Sequence, residues 1–189
     1  MKFLIVLFFF CQIHVSSSIK TVETLELNKY LGRWYETYSS LIQRQTFQRN
    51  LVCTTADYSL QADGNIKVVN AGRLKTPTGL GSNITGTATV LDANHPGALR
   101  VTFPGTPNLP GANYLIVKLG PTTFGNDGLY EYSVVTTPLK ALVWVLARNP
   151  ETFETNFKDE VFKYLNDNGY NWFWNKPKPT IQGKDCVYL

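Results

Sequence analysis

Asn28-Lys29-Tyr30-Leu31-Gly32-Arg33-Trp34-Tyr35-Glu36 is the stretch on which the fold of this chain turns. Asn28 is placed to cap a short helical turn with its side-chain oxygen. Gly32 is placed to take a backbone conformation closed to other residues. The chain then straightens into Trp34-Tyr35-Glu36-Thr37-Tyr38, an aromatic and β-branched run that favours a strand. A turn, a glycine and a large tryptophan at the first strand would plug one end of a sheet. A buried strand tryptophan with no further role is the alternative at this point.

Upstream of this stretch, Lys2 precedes the apolar run Phe3–Cys11 and the small residues Ser16-Ser17-Ser18. A basic start, a short apolar core and a small-residue exit describe a secretory leader over residues 1–18. The mature chain is then expected to be one domain, 19–189, secreted and extracellular, with no membrane span. Hydrophobic residues make up 43% and charged residues 17%, which places the chain among globular proteins. The formal charge of +4 is scattered, and Lys176-Pro177-Lys178-Pro179 is too short for a nucleic-acid footprint. Removing the leader leaves Cys53 and Cys186, and an even count in an exported chain favours one disulfide over two free thiols. Asn83-Ile84-Thr85 is a glycosylation sequon near a glycine-rich turn.

Downstream, short apolar runs alternate with turn residues. Ser39 to Leu51 has no clean period and reads as a long loop over something apolar, with Leu41, Ile42 and Phe47. Strands are expected at Cys53–Leu60, Ile66–Ala71, Ile84–Leu91 and Ala98–Phe103. The remaining three are Asn113–Leu119, Leu129–Thr136 and Ala141–Ala147. Ala62-Asp63-Gly64-Asn65 is a hairpin turn between the first two of these. Tyr130, Tyr132 and Val134 fall on one face by alternation. Gly120 to Gly128 reads as a loop. With the strand at Trp34 there are eight short strands with hairpin-like links, which argues for an all-β barrel or sandwich.

One helix follows. Asn149 is a good cap and Pro150 suits the first helical position. Phe153, Phe157, Val161, Phe162 and Leu165 make an apolar stripe at helical spacing, suited to packing outside the barrel. Asn168-Gly169 ends the helix. Tyr170–Trp174 then reads as a short extra strand or a docking segment. In an up-and-down barrel the first and eighth strands are neighbours, and the eighth ends where the first begins. Arg148 should therefore lie near Trp34, where a guanidinium over an indole contributes roughly 0.5–2 kcal/mol. The alternative is a solvated arginine at a strand end.

Gly32 and Trp34 before a first strand, and Trp144-Val145-Leu146-Ala147-Arg148-Asn149-Pro150 at the last, together resemble the lipocalins. The likeness is closest to the branch of apolipoprotein D and the bacterial lipocalins. Cys53 followed by Ala56-Asp57-Tyr58-Ser59-Leu60 resembles that branch's second strand, and Cys186 falls where its tail cysteine pairs with it. The resemblance runs from Leu27 to Cys186. It implies an eight-stranded antiparallel up-and-down barrel with one C-terminal α-helix packed outside. Gly32, Trp34 and Arg148 would then form the closed barrel end. The sequence departs from the family at the loop after Leu119, where Asp127 and Tyr130 only loosely echo its Thr-Asp-Tyr. That departure puts the packing of the closed end in question.

Matching residue by residue implies ligand-contacting positions at Tyr58, Phe103 and Trp144. Tyr114 joins them from its strand position. Each of the four has the alternative of simply filling the core. Aromatic walls suit an apolar ligand, so a small hydrophobic molecule (a fatty acid, sterol, retinoid or lysophospholipid) is the expected partner. Leu41, Ile42 and Phe47 would stand at the rim. The runner-up is a largely filled barrel whose loops bind a protein, and a third reading is an isomerase-type lipocalin. No cofactor, metal site, catalytic residue or enzymatic activity is expected. His95 sits in a turn without a second metal ligand at useful spacing, and neither a phosphate loop nor a serine elbow occurs. Glu36 is the inward carboxylate, expected to hydrogen-bond the barrel floor.

Overall fold

The computed structural model describes residues 19–46, 48–107 and 110–189. The expected leader and Phe47, expected at the rim, lie outside them.

The turn before the first strand forms as α1 (Leu27–Tyr30), closed by the Leu31 N–H donating to the Leu27 carbonyl. Asn28 is not its cap. Glu26 holds that position without a side-chain bond. The register is set instead by burial, since Leu27, Tyr30 and Leu31 all pack against the barrel interior. Gly32 takes φ +91°, a conformation that a side chain would strain, and it opens β1 (Gly32–Ser40). The expected loop after it is mostly regular, because β1 runs to Ser40 and α2 (Leu41–Gln45) follows directly.

Antiparallel pairing then proceeds along the chain through β2 (Leu51–Leu60), β3 (Ile66–Leu74), β4 (Gly81–Val90), β5 (Ala98–Thr102) and β6 (Tyr114–Leu119). The loop after β6 is not plain coil. It forms a small ribbon of β7 (Thr122–Phe124) on β8 (Leu129–Tyr130) beside the main sheet. The main sheet resumes with β9 (Tyr132–Thr136) and β10 (Val143–Ala147), and β10 pairs back onto β1 with Tyr35 opposite Ala147 and Ser39 opposite Trp144. The result is a closed eight-stranded antiparallel barrel of β1–β6, β9 and β10. The break at Glu131, whose N–H bonds the Pro121 carbonyl, shifts the alternation. Tyr130 therefore packs inside, while Tyr132 and Val134 pack outside, which corrects their expected common face. Asn83 lies exposed in β4 opposite Ala71, two residues after the strand begins at Gly81.

The helix is a rod of α3 (Pro150–Thr152), a π-helical turn (Phe153–Phe157) and α4 (Lys158–Asp167). The Asn149 side chain caps it by accepting the Thr152 N–H at 3.0 Å. Its apolar stripe covers the outer face of β10, and Val143, Val145 and Ala147 are fully buried there against Phe153, Val161 and Leu165. Tyr170–Trp174 forms no strand. The final strand is β11 (Pro177–Pro179), and its place is unusual. β1 pairs with β2 only from Gly32 to Tyr35, and from Tyr38 to Ser40 its partner is β11. The tail thus fills the seam where β1 and β2 diverge. The Gln182 amide donates to both the Glu36 and Thr54 carbonyls, at 2.9 and 2.7 Å, and so bridges the two strands. A disulfide between Cys53 and Cys186 fastens the tail to β2.

The closed end is built on Arg148. Its guanidinium lies 3.9 Å over the Trp34 ring. It donates to the carbonyls of Lys29, Tyr30, Leu31 and Arg33 at 2.7 to 3.2 Å. Trp34 donates its indole N–H to the Tyr30 carbonyl at 2.8 Å. Burial lowers the Arg148 guanidinium to about 10, well inside its charged range at neutral pH.

Two outcomes are expected. Cys186→Ser opens a 133-residue closure and should lower stability by roughly 2–5 kcal/mol, read as a drop in urea midpoint. Arg148→Met leaves four carbonyls without their donor and should cost on the order of 3 kcal/mol. Arg148→Lys keeps the charge but not the fork, so its urea midpoint should fall between those of Arg148→Met and the parent.

Candidate ligand site in the barrel

The alternation of each strand sends one set of side chains into the barrel, and those side chains form the site. From β2 come Ala56 and Tyr58, from β3 Ile66 and Val68, and from β4 Ala88. From β5 and its end come Leu99, Val101 and Phe103, from β6 Tyr114, and from β10 Trp144 and Leu146. The four expected contact residues therefore share one interior cluster. Phe103 finds room because β4 carries Gly86, where a Cβ would stand 2.6 Å from the Phe103 ring.

Tyr58 and Tyr114 are brought into direct contact, hydroxyl to hydroxyl at 3.0 Å. The sequence reading missed their third partner, Tyr30, whose hydroxyl lies 2.8 Å from that of Tyr114 and 3.0 Å from Ser133 Oγ. The Tyr30 and Tyr58 rings stack at 5.7 Å. No periodic signal marked Tyr30, which enters from the turn before β1 and there meets the Trp34 ring at 5.2 Å. Ser133 was legible once Tyr132 is placed outward, because its neighbour then points in. The chain Ser133–Tyr30–Tyr114–Tyr58 holds four hydroxyl protons and three contacts, so one donor remains for a further acceptor. Burial pushes the Tyr30 hydroxyl up to about 12 and raises those of Tyr58 and Tyr114 well above the ordinary phenol range. All three therefore remain neutral donors at physiological pH.

Below these hydroxyls the interior is nearly filled. The void enclosed by Leu25, Leu27, Tyr30, Tyr58, Ile66, Ala88, Leu99, Val101 and Tyr114 is about 10 Å³, room for about one water. Higher up, Phe103, Tyr114 and Trp144 pack on the interior yet keep partial contact with solvent.

Glu36 is buried, but it does not reach the floor. Its carboxylate accepts from Gln48 Nε2 at 2.6 Å and from Thr180 Oγ1 at 2.9 Å, so it ties the segment after α2 to the tail. Burial raises its carboxyl above the usual range, an effect that these two donors oppose. Leu41 and Ile42 lie half-buried on α2 at the end away from Trp34. Asp127, the loose echo of the family motif, is exposed, while Tyr130 enters the interior and accepts the Glu26 N–H at 3.1 Å. His95 is exposed and bonds Asp92 at 2.8 Å. Among the described residues no three His, Cys, Asp or Glu side chains gather as a metal site, and no helix is long and apolar enough to cross a membrane.

Comparison with known proteins agrees with this geometry. The lipocalin-like domain family matches residues 25–174. The outer membrane lipoprotein Blc of Vibrio cholerae is 30% identical over 156 residues, covering 82% of each chain. Mouse apolipoprotein D is 33% identical over 150 residues, covering 77% of this chain and 69% of that one. Among solved structures, lobster apocrustacyanin A1 shares the fold with a TM-score of 0.56 at 16% identity, over 86% of this chain and 82% of that one. The tryptamine complex of the amine-binding protein of Rhodnius prolixus has a TM-score of 0.55 at 20% identity, over 92% and 90%. The barrel, its Arg148-sealed end and these matches place the chain in the lipocalin family.

Proposed function

We propose that the protein is an exported carrier that binds one small hydrophobic molecule reversibly inside its barrel. One contrast carries this reading. On β10 the outward Val143 and Val145 are fully buried beneath the helix, whereas the inward Trp144 keeps contact with solvent. Phe103 and Tyr114 do the same. The inward Leu146, nearer the sealed end, is only 4% exposed. The contrast is thus confined to the end that Trp144 occupies and marks a cavity mouth there. Aromatic walls at that mouth favour an apolar occupant at about 25 cal/mol per Å² buried. The Rhodnius relative's tryptamine complex supports the same use of the fold. The disulfide and the leader-like residues 1–18 support export, and the exposed Asn83 would accept a glycan on a eukaryotic route. Binding without chemistry is part of the proposal. The interior polar groups are neutral hydroxyls, and the Glu36 carboxylate is already engaged by Gln48 and Thr180.

The runner-up, a filled barrel acting through a protein partner, draws on the void of about 10 Å³ beneath the tyrosines. Titration separates the two. A fatty acid, a sterol and a retinoid are each added while tryptophan emission is followed. The carrier reading expects saturable quenching by at least one of them, weakened about tenfold in Trp144→Ala through lost apolar contact. No response to any of the three would turn the assignment to the filled barrel, and an unchanged response in Trp144→Ala would place the ligand away from Trp144.

A further inference from the structure

The barrel end away from Trp34 carries an exposed apolar surface that lies outside the interior cluster. After α4 the chain turns at Gly169 (φ +80°), buries Tyr170 and then presents three aromatic residues in succession. Trp172 is 58% exposed and Phe173 75% exposed. Trp172 stacks on Trp174 at 5.3 Å, and Phe173 meets Trp174 edge-on at 4.9 Å. This turn is well built. Asn175, itself buried, accepts the Trp172 N–H at 3.0 Å and donates its amide to the Gly169 carbonyl at 3.1 Å. The Lys176 N–H donates to the Trp172 carbonyl at 2.8 Å. The backbone is satisfied internally, so the rings are held outward by an ordered turn.

A second loop adds to the same face. Between β9 and β10, Leu139 is 89% exposed and sits at φ +68°, a left-handed conformation that leucine adopts only at a cost. The adjacent Lys140 joins the two loops, donating to the Asn168 carbonyl at 2.6 Å and standing 5.2 Å over the Tyr170 ring. Residues 168–184 include Lys176, Lys178 and Lys184 and no acidic side chain. The nearest preceding acid, Asp167, is paired with Lys163 at 2.6 Å. Single exposed apolar residues are ordinary, but an ordered aromatic cluster flanked by cations marks a contact surface. Tryptophan with neighbouring lysine is the composition that settles at the boundary between water and acyl chains, where anionic headgroups attract the lysines.

We propose that Leu139, Trp172, Phe173 and Trp174, flanked by Lys140, Lys176 and Lys178, dock the protein on an anionic lipid surface. Docking is independent of whether the barrel is loaded, so its test uses no added ligand. The full disulfide-bonded mature chain is floated with vesicles of phosphatidylcholine alone or with a quarter phosphatidylserine, and tryptophan emission is recorded. The protein should float with the serine-containing vesicles, shift its emission to the blue and release as salt rises. Trp172→Ser with Phe173→Ser should weaken flotation about tenfold through lost apolar burial. Leu139→Asn should weaken it while folding at least as well, since asparagine tolerates positive φ. That variant separates lost docking from lost structure. Lys176→Glu with Lys178→Glu should remove the preference for the anionic vesicles. The proposal is overturned if the parent protein floats with neither vesicle, if the Trp172/Phe173 variant floats unchanged, or if the face captures a protein partner but no lipid.

Discussion

A buried guanidinium with four carbonyl partners is the constraint on which this structure depends. Arg148 stands at the end of the last barrel strand, and its acceptors are Lys29, Tyr30, Leu31 and Arg33, all around the start of the first. One side chain therefore closes the sheet on itself at the level of Trp34. Gly32 makes the approach possible, because a Cβ there would stand 3.3 Å from Arg148 Nη1 and φ is positive. The Tyr30 carbonyl is shared between Arg148 and the Trp34 indole. That sharing fixes the backbone of the residue whose ring opens the hydroxyl chain inside. Closure and site are thus one construction, with a charged face beneath Trp34 and a neutral, donor-lined interior above it.

The opposite end is built on another principle. There β1 and β2 diverge, and covalent and polar links replace ladder hydrogen bonds. The tail strand pairs with β1, Gln182 bridges the two strands, and Cys53–Cys186 holds the tail in place. The prolines of β11 suit such a position, since a proline donates nothing to a ladder. Glu36 belongs to this wedge through Thr180 and to the segment after α2 through Gln48. A sealed end and an end assembled from loops and tail set the direction in which a ligand would enter.

Most of the fold was legible because it rests on local patterns. Strand alternation, the Asn149-Pro150 start and the stripe of Phe153, Val161 and Leu165 each translate directly into an element or a face. The closure of Arg148 on Trp34 followed from counting strands. The misreadings arose where tertiary packing overrides local preference. Asn28 is a strong cap residue, but burying Leu27 and Tyr30 moves the cap two residues back, to Glu26. Tyr130 and Tyr132 alternate in the sequence, but the break at Glu131 sends them to opposite sides. The tail wedge left no periodic trace in a segment as short as Pro177–Pro179. Of the site, Tyr58, Phe103, Tyr114 and Trp144 do share the interior, whereas Tyr30 was hidden because it enters from a turn.

The central claim is that the barrel carries a small apolar molecule. It is tested most directly by the mass of protein exported from a eukaryotic host, first native and then denatured. The account expects the native mass to exceed the denatured mass by a few hundred daltons, about the size of a small apolar ligand, with the difference recovered in an organic extract. Equal masses, with no gain after incubation with fatty acid, sterol and retinoid, would contradict it.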